Sequence, residues 1–317
     1  MYENMIVIIW LRLGVRRRVA GTKAAYIPVM TPCSALAGGT MANLSVRFLG
    51  VRGSIATSHD AQRLVGGNTA CLEICTDETR IIVDAGTGLR TLGNERLAAG
   101  IKHSTILLSH LHWDHVAGLP FFSPIYIPGH RVHIATGPNG TMPLEQAMQR
   151  LFVAPFFPVE YATVAEQLVL RELAPRETFM IGDITVTMAK LNHPDPVYGF
   201  RFEHDGQTIV YATDTEHYAC VDPTLKKLAA GADILIYDAQ YTPAEYPSKV
   251  GWGHSTWAAG ADLARAAGVP QLVLFHHDPD RTDVQVAAIE ADARANLPGT
   301  VAAREGMILL ANDAQSM

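Results

Sequence analysis

Apolar and polar positions alternate along the first part of the chain in a way that is typical of β-strands. Residues 44–51 alternate and end at a turn, and residues 70–76 and 80–83 form the next two predicted strands. A helix is predicted over 89–99, and a buried strand follows over 105–108. This order predicts an α/β fold that begins with strands and continues with strand–helix alternation.

Strands and helices alternate again in the second half of the chain, with no Pro-, Gly- or Ser-rich linker between the halves. Residues 141–180 are predicted to be mainly helical, with prolines as interruptions. We therefore expect one domain over residues 44–317. The remaining predicted strands cover 132–136, 184–191, 199–203, 208–212, 234–237, 272–275 and 307–310, and the remaining predicted helices cover 225–230, 256–267 and 283–296.

The first forty residues differ from the rest of the chain. Residues 5–15 are apolar but too short to span a bilayer, and they include Arg12. Three arginines follow this stretch, whereas a secretory signal carries its positive charge before the apolar part. We expect the native chain to start at Met41, and residues 1–43 to be an extension or a disordered tail outside the domain. A short membrane anchor is the alternative.

A dense group of ligand-type residues follows the strand at 105–108. His110, His112, Asp114 and His115 fall within six residues. The first two histidines project to the same side where the backbone stays extended. Imidazole and carboxylate together suit zinc and related divalent ions. This stretch therefore predicts a metal site.

Polar residues also stand at the ends of other predicted strands, which indicates that several strand ends meet in one groove. Together they supply ligands for two ions, with Asp214 as the bridging carboxylate that a two-metal site uses. One ion would be held by His110, His112 and His193, and the other by Asp114, His115 and His276.

Composition narrows the class of protein. The chain has 317 residues, of which 48% are hydrophobic and 18% charged, which is typical of a globular protein with a substantial core. A formal net charge of −6 argues against a molecule that is basic overall and binds nucleic acid through charge alone. The four cysteines include no CxxC pair, which favours a reduced, cytoplasmic setting.

The motifs, taken in order, resemble those of the metallo-β-lactamase fold hydrolases. They are SHLHWDH, the histidine of LNHP, the aspartate of YATDT and the first histidine of LFHHDP. The resemblance implies an αββα four-layer sandwich and two divalent ions, with Zn²⁺ expected first and Mn²⁺ or Fe²⁺ as alternatives. It also implies that Asp84 supports the ligands. Because neighbouring strand positions face opposite ways, only one of His276 and His277 is expected to reach the ions. The resemblance implies His276, since the family pattern places the ligand first after the apolar strand.

A later stretch points to one branch of that family. Gly253-His254-Ser255-Thr256 resembles the HST motif of ribonuclease Z and its phosphodiesterase relatives, and Asp238 lies where that branch has a carboxylate bonded to the histidine. A histidine held by a carboxylate would protonate the alkoxide that leaves during phosphodiester cleavage. The resemblance thus implies catalytic roles for His254 and Asp238, and for Asp114 in orienting the nucleophile. Alternatively, His254 only precedes a helix capped by Ser255 or Thr256.

Three further residues are candidates for substrate contact. Asn68 and Thr69 lie in a GGNT turn that is equally well explained as a structural turn. Trp113 replaces the small residue typical of this position in ribonuclease Z, and we expect it to narrow the entrance.

We expect the substrate to be a small phosphodiester, with a 3′,5′-cyclic nucleotide as the first candidate. The protruding basic arm of ribonuclease Z has no counterpart here, because residues 141–180 hold three basic residues, and this is a poor grip on a polyanion. A tRNA 3′-end endonuclease is the nearest alternative, then a thioester or lactam hydrolase, and last a metal-binding sensor without activity. The relatives also imply a homodimer, and no membrane partner is expected.

Overall fold

The protein, as a computed structural model, is described over residues 44–140, 142–218 and 220–311. The predictions for residues 1–43 lie outside this part. Within it, none of the helices is long and apolar enough to cross a membrane.

Fourteen strands form the framework of the described residues. Most predicted strands are found within one or two residues of their expected bounds. In chain order the strands are β1 (Ser45–Gly50), β2 (Cys71–Cys75), β3 (Arg80–Val83), β4 (His103–Leu107), β5 (Arg131–Thr136), β6 (Leu168–Glu172), β7 (Thr178–Ile181), β8 (Ile184–Lys190), β9 (Tyr198–His204), β10 (Gln207–Ala212), β11 (Ile234–Asp238), β12 (Gln271–Phe275), β13 (Thr300–Ala302) and β14 (Ile308–Leu310).

Six α-helices connect these strands in the described part of the chain. They are α1 (Leu89–Ala98), α2 (Trp113–Val116), α3 (Leu144–Leu151), α4 (Pro223–Ala229), α5 (Trp257–Ala267) and α6 (Asp283–Asn296).

One stretch was predicted wrongly. Residues 141–180 contain α3, but after Leu151 they continue as short 3₁₀ turns and then as the strands β6 and β7. The side chains of these two strands are half-buried or exposed, so they lack the apolar run that marks a central strand. The short strand β13 was also missed by the sequence analysis.

The strands form two seven-stranded sheets with matching connectivity. The first has the order β14-β1-β2-β3-β4-β5-β6, and the second has the order β13-β12-β11-β10-β9-β8-β7. In the first sheet β3 to β6 are parallel, and in the second β10 to β13 are parallel. The remaining pairs in each sheet are antiparallel.

The two sheets face each other across a shared apolar core. Phe48 of β1 and Phe275 of β12 are fully buried, and their ring centroids lie 6.1 Å apart. A second apolar cluster lies between the other face of the second sheet and helices α4 to α6, and a third lies between the first sheet and helices α1 to α3. Burying one large apolar side chain contributes about 1.5–3 kcal/mol. The predicted four-layer αββα sandwich is confirmed.

Candidate metal centre and active site

The candidate site lies where the carboxyl ends of strands from both sheets meet. Asp84 follows β3, Asp214 follows β10 and His276 follows β12, and all three have a positive φ, of 58°, 50° and 59°. This backbone conformation costs about 1–3 kcal/mol for a residue other than glycine, and it persists only where surrounding structure imposes it. Each strand therefore ends in a bend that turns a polar side chain into the groove.

One group of four ligand atoms fits a tetrahedral ion. Nε2 of His115 lies 3.3 Å from Nε2 of His276, 3.3 Å from Oδ2 of Asp114 and 3.4 Å from Oδ1 of Asp214. Nε2 of His276 lies 3.1 Å from Oδ2 of Asp114 and 3.2 Å from Oδ1 of Asp214. Ligands at 2.0–2.1 Å from a tetrahedral zinc ion are separated by about 3.3–3.4 Å, so these distances match the edges of such a site.

The second group is built from His110, His112, His193 and Asp214, whose ligand atoms all lie within 4.8 Å of one another. Nε2 of His110 is buried, lies 3.5 Å from Oδ2 of Asp214 and has no hydrogen-bond partner among the described residues. A buried nitrogen without a partner is costly unless an ion satisfies it. The two oxygens of Asp214 thus serve different groups, Oδ1 the first and Oδ2 the second, as a bridging carboxylate does.

Hydrogen bonds at Nδ1 orient the buried histidines. Nδ1–H of His115 donates to Asp84 at 2.8 Å, and Nδ1–H of His276 donates to Oε1 of Gln240 at 3.0 Å. Nδ1–H of His110 donates to Oγ of Ser109 at 3.0 Å. Each bond turns Nε2 toward the groove, so that loss of the Nε2 proton gives the form of imidazole that binds a metal ion.

The electrostatics of the groove favour a positive charge. Burial raises the pKa of Asp114, but His115 and His276 outweigh this and hold it well below its usual range. The same two histidines outweigh burial at Asp214, whose pKa is also far below normal. Burial lowers the pKa of His115, yet the facing carboxylates raise it well above its ordinary value. Divalent cations at this point would be stabilised by two ionised carboxylates.

A carboxylate beneath the ligands, Asp84, holds the site together. It is fully buried, accepts hydrogen bonds from the main chain and hydroxyl of Ser109 at 2.7 and 2.8 Å, and accepts another from Tyr211 at 2.7 Å. With the bond from His115, it receives four donors. Asp84 therefore has the supporting place that the sequence motif implied.

The pair formed by His254 and Asp238 lies beside the ligand groups. Nδ1–H of His254 donates to Oδ2 of Asp238 at 2.9 Å, and the ring of His254 stacks on that of His276 with centroids 5.0 Å apart. Burial lowers the pKa of His254, but the Asp238 carboxylate outweighs burial and raises it to about 9. At neutral pH the imidazole is therefore a proton donor next to the ligands. The alternative role near a helix cap is also present, since Thr256 caps α5.

The two adjacent histidines that follow β12 have opposite surroundings. His276 lies in the groove, whereas Nε2 of His277 lies 3.0 Å from the main-chain oxygen of Ala303. Burial lowers the pKa of His277 to about 3. His277 is thus a neutral structural histidine, and His276 is the one that reaches the ligand groups.

The candidates for substrate contact differ in exposure. Trp113 is 66% exposed and lines a cavity of about 340 Å³ whose walls include His110 and His112. The amide of Asn68 donates to Glu305 at 2.9 Å and accepts from the Thr87 hydroxyl at 3.0 Å. Thr69 is 1% exposed and accepts from the amide of Thr87 at 2.9 Å. These bonds support the structural role of the GGNT turn, and only Trp113 faces open space.

Three residues with a place in the site escaped the sequence analysis. Asp195 lies 3.0 Å from Nε2 of His112, so Nδ1 would be the nitrogen of His112 that is available to an ion. Gln240 bonds the His276 ring, and Glu216 bonds the loop before His254. The sequence LNHPDP, in which Asp195 stands two positions after His193, was the available signal for Asp195. The other two have no local motif.

Comparison with known proteins agrees with this geometry. The family model described as the beta-lactamase superfamily domain matches residues 79–277. Ribonuclease Z of Mycobacterium sp. (strain KMS) is 30% identical over 236 residues, which cover 68% of this chain and 80% of that protein. Ribonuclease Z of Methanopyrus kandleri is 25% identical over 303 residues, covering 84% of this chain and 97% of that protein.

A solved structure gives the same fold. The metallo-beta-lactamase fold protein YhfI from Bacillus subtilis superposes with a TM-score of 0.66 at 19% identity, over 85% of this chain and all of that one. The family resemblance and the hydrolase class predicted from the motifs are therefore confirmed. The chain belongs to the beta-lactamase superfamily, as a metal-dependent hydrolase of its ribonuclease Z-like branch.

Proposed function

We propose that this protein is a binuclear metal-dependent phosphodiesterase that hydrolyses a small phosphodiester, with a 3′,5′-cyclic nucleotide as the first candidate. The observation that carries the proposal is the bond between His254 and Asp238, whose ligand atoms lie within 4.8 Å of those of Asp214 and His276. Hydrolysis of a thioester needs no proton donor beside the ions, because a thiolate leaves without a proton. Cleavage of a phosphodiester does, because an alkoxide must leave.

The roles of the residues follow from this arrangement. When bound, two divalent ions supply a hydroxide nucleophile near neutral pH and neutralise charge on the phosphoryl oxygens. Asp114 binds at the ligand group and accepts the main-chain N–H of Ser54 at 2.7 Å, which fixes its orientation. Asp238 holds Nδ1–H of His254, so that Nε2–H of the imidazolium points away from it and donates to the leaving oxygen.

The space beside the ligands supports a small substrate. The cavity of about 340 Å³ lies between His112 and α3, and its walls include Leu111, Met148 and Leu151. Pockets for small organic molecules span about 300–1,000 Å³ and are mostly apolar. A planar aromatic group such as a nucleobase has apolar faces that suit these walls, and Trp113 also lines the cavity.

The segment at 141–180 supports the same choice. Leu144, Met148 and Phe152 are buried against the first sheet, so this segment packs on the domain instead of forming a protruding arm. Of its three basic residues, Arg171 pairs with Glu177. A polyanion is held mainly through many basic contacts to phosphates, and this segment offers few.

Zinc is the ion that we propose, because five of the seven residues in the two ligand groups are histidines, and imidazole nitrogen is a preferred ligand of zinc. Manganese or iron is the alternative, since the two carboxylates suit these ions as well.

A second candidate function, processing of tRNA 3′ ends, has its own support. The two relatives described above are both named ribonuclease Z, and they match 68% and 84% of this chain. This function requires the same ligands and the same histidine–carboxylate pair, so only substrate selection separates it from a small-molecule diesterase.

One panel of substrates tests these proposals. The enzyme is loaded with zinc or with manganese and is assayed with 3′,5′-cyclic nucleotides, a linear nucleotide diester, precursor tRNA, a thioester and a cephalosporin. We expect turnover of the small diesters and slow or no cleavage of precursor tRNA. Fast cleavage of precursor tRNA with inert cyclic nucleotides would instead establish the second candidate.

A further inference from the structure

Glu216 occupies a buried position between three segments of the site. It stands two residues after Asp214 and is 4% exposed. Its main-chain N–H donates to the oxygen of Asn192 at 2.6 Å, and its main-chain oxygen accepts from Nδ2 of Asn192 at 2.9 Å. The main chain of Glu216 is therefore tied to the residue that precedes the ligand His193.

The carboxylate of Glu216 binds the loop that leads to His254. Oε1 accepts the main-chain N–H of Gly251 at 2.7 Å, and Oε2 accepts the main-chain N–H of Gly253 at 3.0 Å. The Tyr246 hydroxyl lies 3.0 Å from Oε1 and shares its proton between Glu216 and the main-chain oxygen of His217. Both oxygens are thus used by donors from one loop. Hydrogen bonds to an ionised acceptor are roughly twice as strong as those between neutral groups.

The loop needs such an anchor. Gly251 and Gly253 both have a φ of 87°, a conformation that glycine adopts readily. Glycine also allows the backbone many other conformations, so other contacts must select this one. A Cβ at Gly253 would lie 2.3 Å from Cδ2 of His193, so the loop passes directly over a metal ligand. Residues 249–253 form no helix or strand, so the hydrogen bonds from Gly251 and Gly253 to Glu216 hold this part of the loop in place.

We propose that Glu216 is the positioning residue of the proton donor. Through Asn192 it is tied to His193, and through Gly253 it is tied to His254. It thereby sets the distance between the ions and the imidazole of His254, whose ring centroid lies 6.1 Å from that of His193. The proposal rests on the function proposed for His254. Glu216 itself touches neither the substrate nor the ligands.

The substitution Glu216→Gln tests this role with almost no change of shape. Whichever way the glutamine amide is turned, its NH₂ group replaces one carboxylate oxygen and faces an N–H donor. The hydrogen bond from either Gly251 or Gly253 is therefore lost. Two diesters are compared, one with an alkoxide leaving group and one with a nitrophenolate, which leaves without a proton. We expect kcat for the alkyl diester to fall at least about tenfold, while kcat for the aryl diester and the metal content stay near those of the parent.

A milder variant and a double variant complete the experiment. Tyr246→Phe removes the hydroxyl that contacts Glu216 but leaves the carboxylate in place. We expect a smaller fall in kcat for the alkyl diester, and this variant remains a test if Glu216→Gln does not fold. In the His254→Ala background, Glu216→Gln should cause no further loss on the alkyl diester. Equal losses on both diesters, loss of metal, or losses that add to that of His254→Ala would overturn the positioning role. If His254→Ala alone leaves alkyl diester cleavage unchanged, the proposed function fails instead.

Discussion

Replacing His254 by alanine separates protonation of the leaving group from the rest of catalysis. With a pKa raised to about 9, the imidazole is in its acid form at pH 7.5, so its removal takes away a working proton donor. General acid catalysis contributes about 10²–10⁴-fold, and we expect a loss of this size in kcat for a diester with an alkoxide leaving group. This corresponds to about 3–5 kcal/mol of transition-state stabilisation.

The assay uses the contrast between leaving groups. A nitrophenyl diester binds at the same ions but releases a stable phenolate, so the loss for this substrate should stay below about tenfold. The metal content is measured alongside, because His254 is not among the ligands of the two main groups. His103→Ala is the matched control, since this exposed histidine lies at the start of β4, far along the strand from the ligands. Equal losses for both diesters with metal retained would refute the proton-donor role and would indicate binding or charge stabilisation instead.

Three further predictions concern the same groove. Asp238→Asn removes the carboxylate that raises the pKa of His254, so the alkaline limb of the kcat/KM profile for an alkyl diester should move to lower pH, and an unchanged limb would contradict the pairing. His276→Ala should lower the amount of bound metal measured by elemental analysis. His277→Ala should keep the metal but lose the bond to Ala303, which lowers the free energy of unfolding by about 1–3 kcal/mol. Removal of metal by a chelator should lower Tm, because ions that bind only the folded state stabilise it, and Tm should recover when metal is added back.

Local spacing explains why part of the site was predictable. His110, His112, Asp114 and His115 are so close in sequence that a strand end followed by the start of α2 brings them together whatever the rest of the chain does. Alternation of side chains after β12 indicated that only one of His276 and His277 reaches the groove, and the family pattern selected His276. Most strands were also predicted, because their buried apolar runs are long enough to show a period.

Other features have no local signal. The strands β6 and β7 lie in the outer part of their sheets with half-exposed side chains, so their pattern does not differ from that of a short helix. Asn68 was an equal candidate for substrate contact, and its bonds to Glu305 and Thr87 show that both ends of its amide are engaged within the protein. Glu305 is distant in sequence, so no pattern around Asn68 reveals it.

The sequence by itself determined the family, the ligand types and the order in which the ligands occur, because these depend on residues at short spacing. Only the tertiary structure decided which oxygen of Asp214 faces each ligand group, and that Glu216 joins the loops of His193 and His254. Such contacts depend on two sheets packing face to face. Their geometry is set by the whole core and not by any one stretch of the chain.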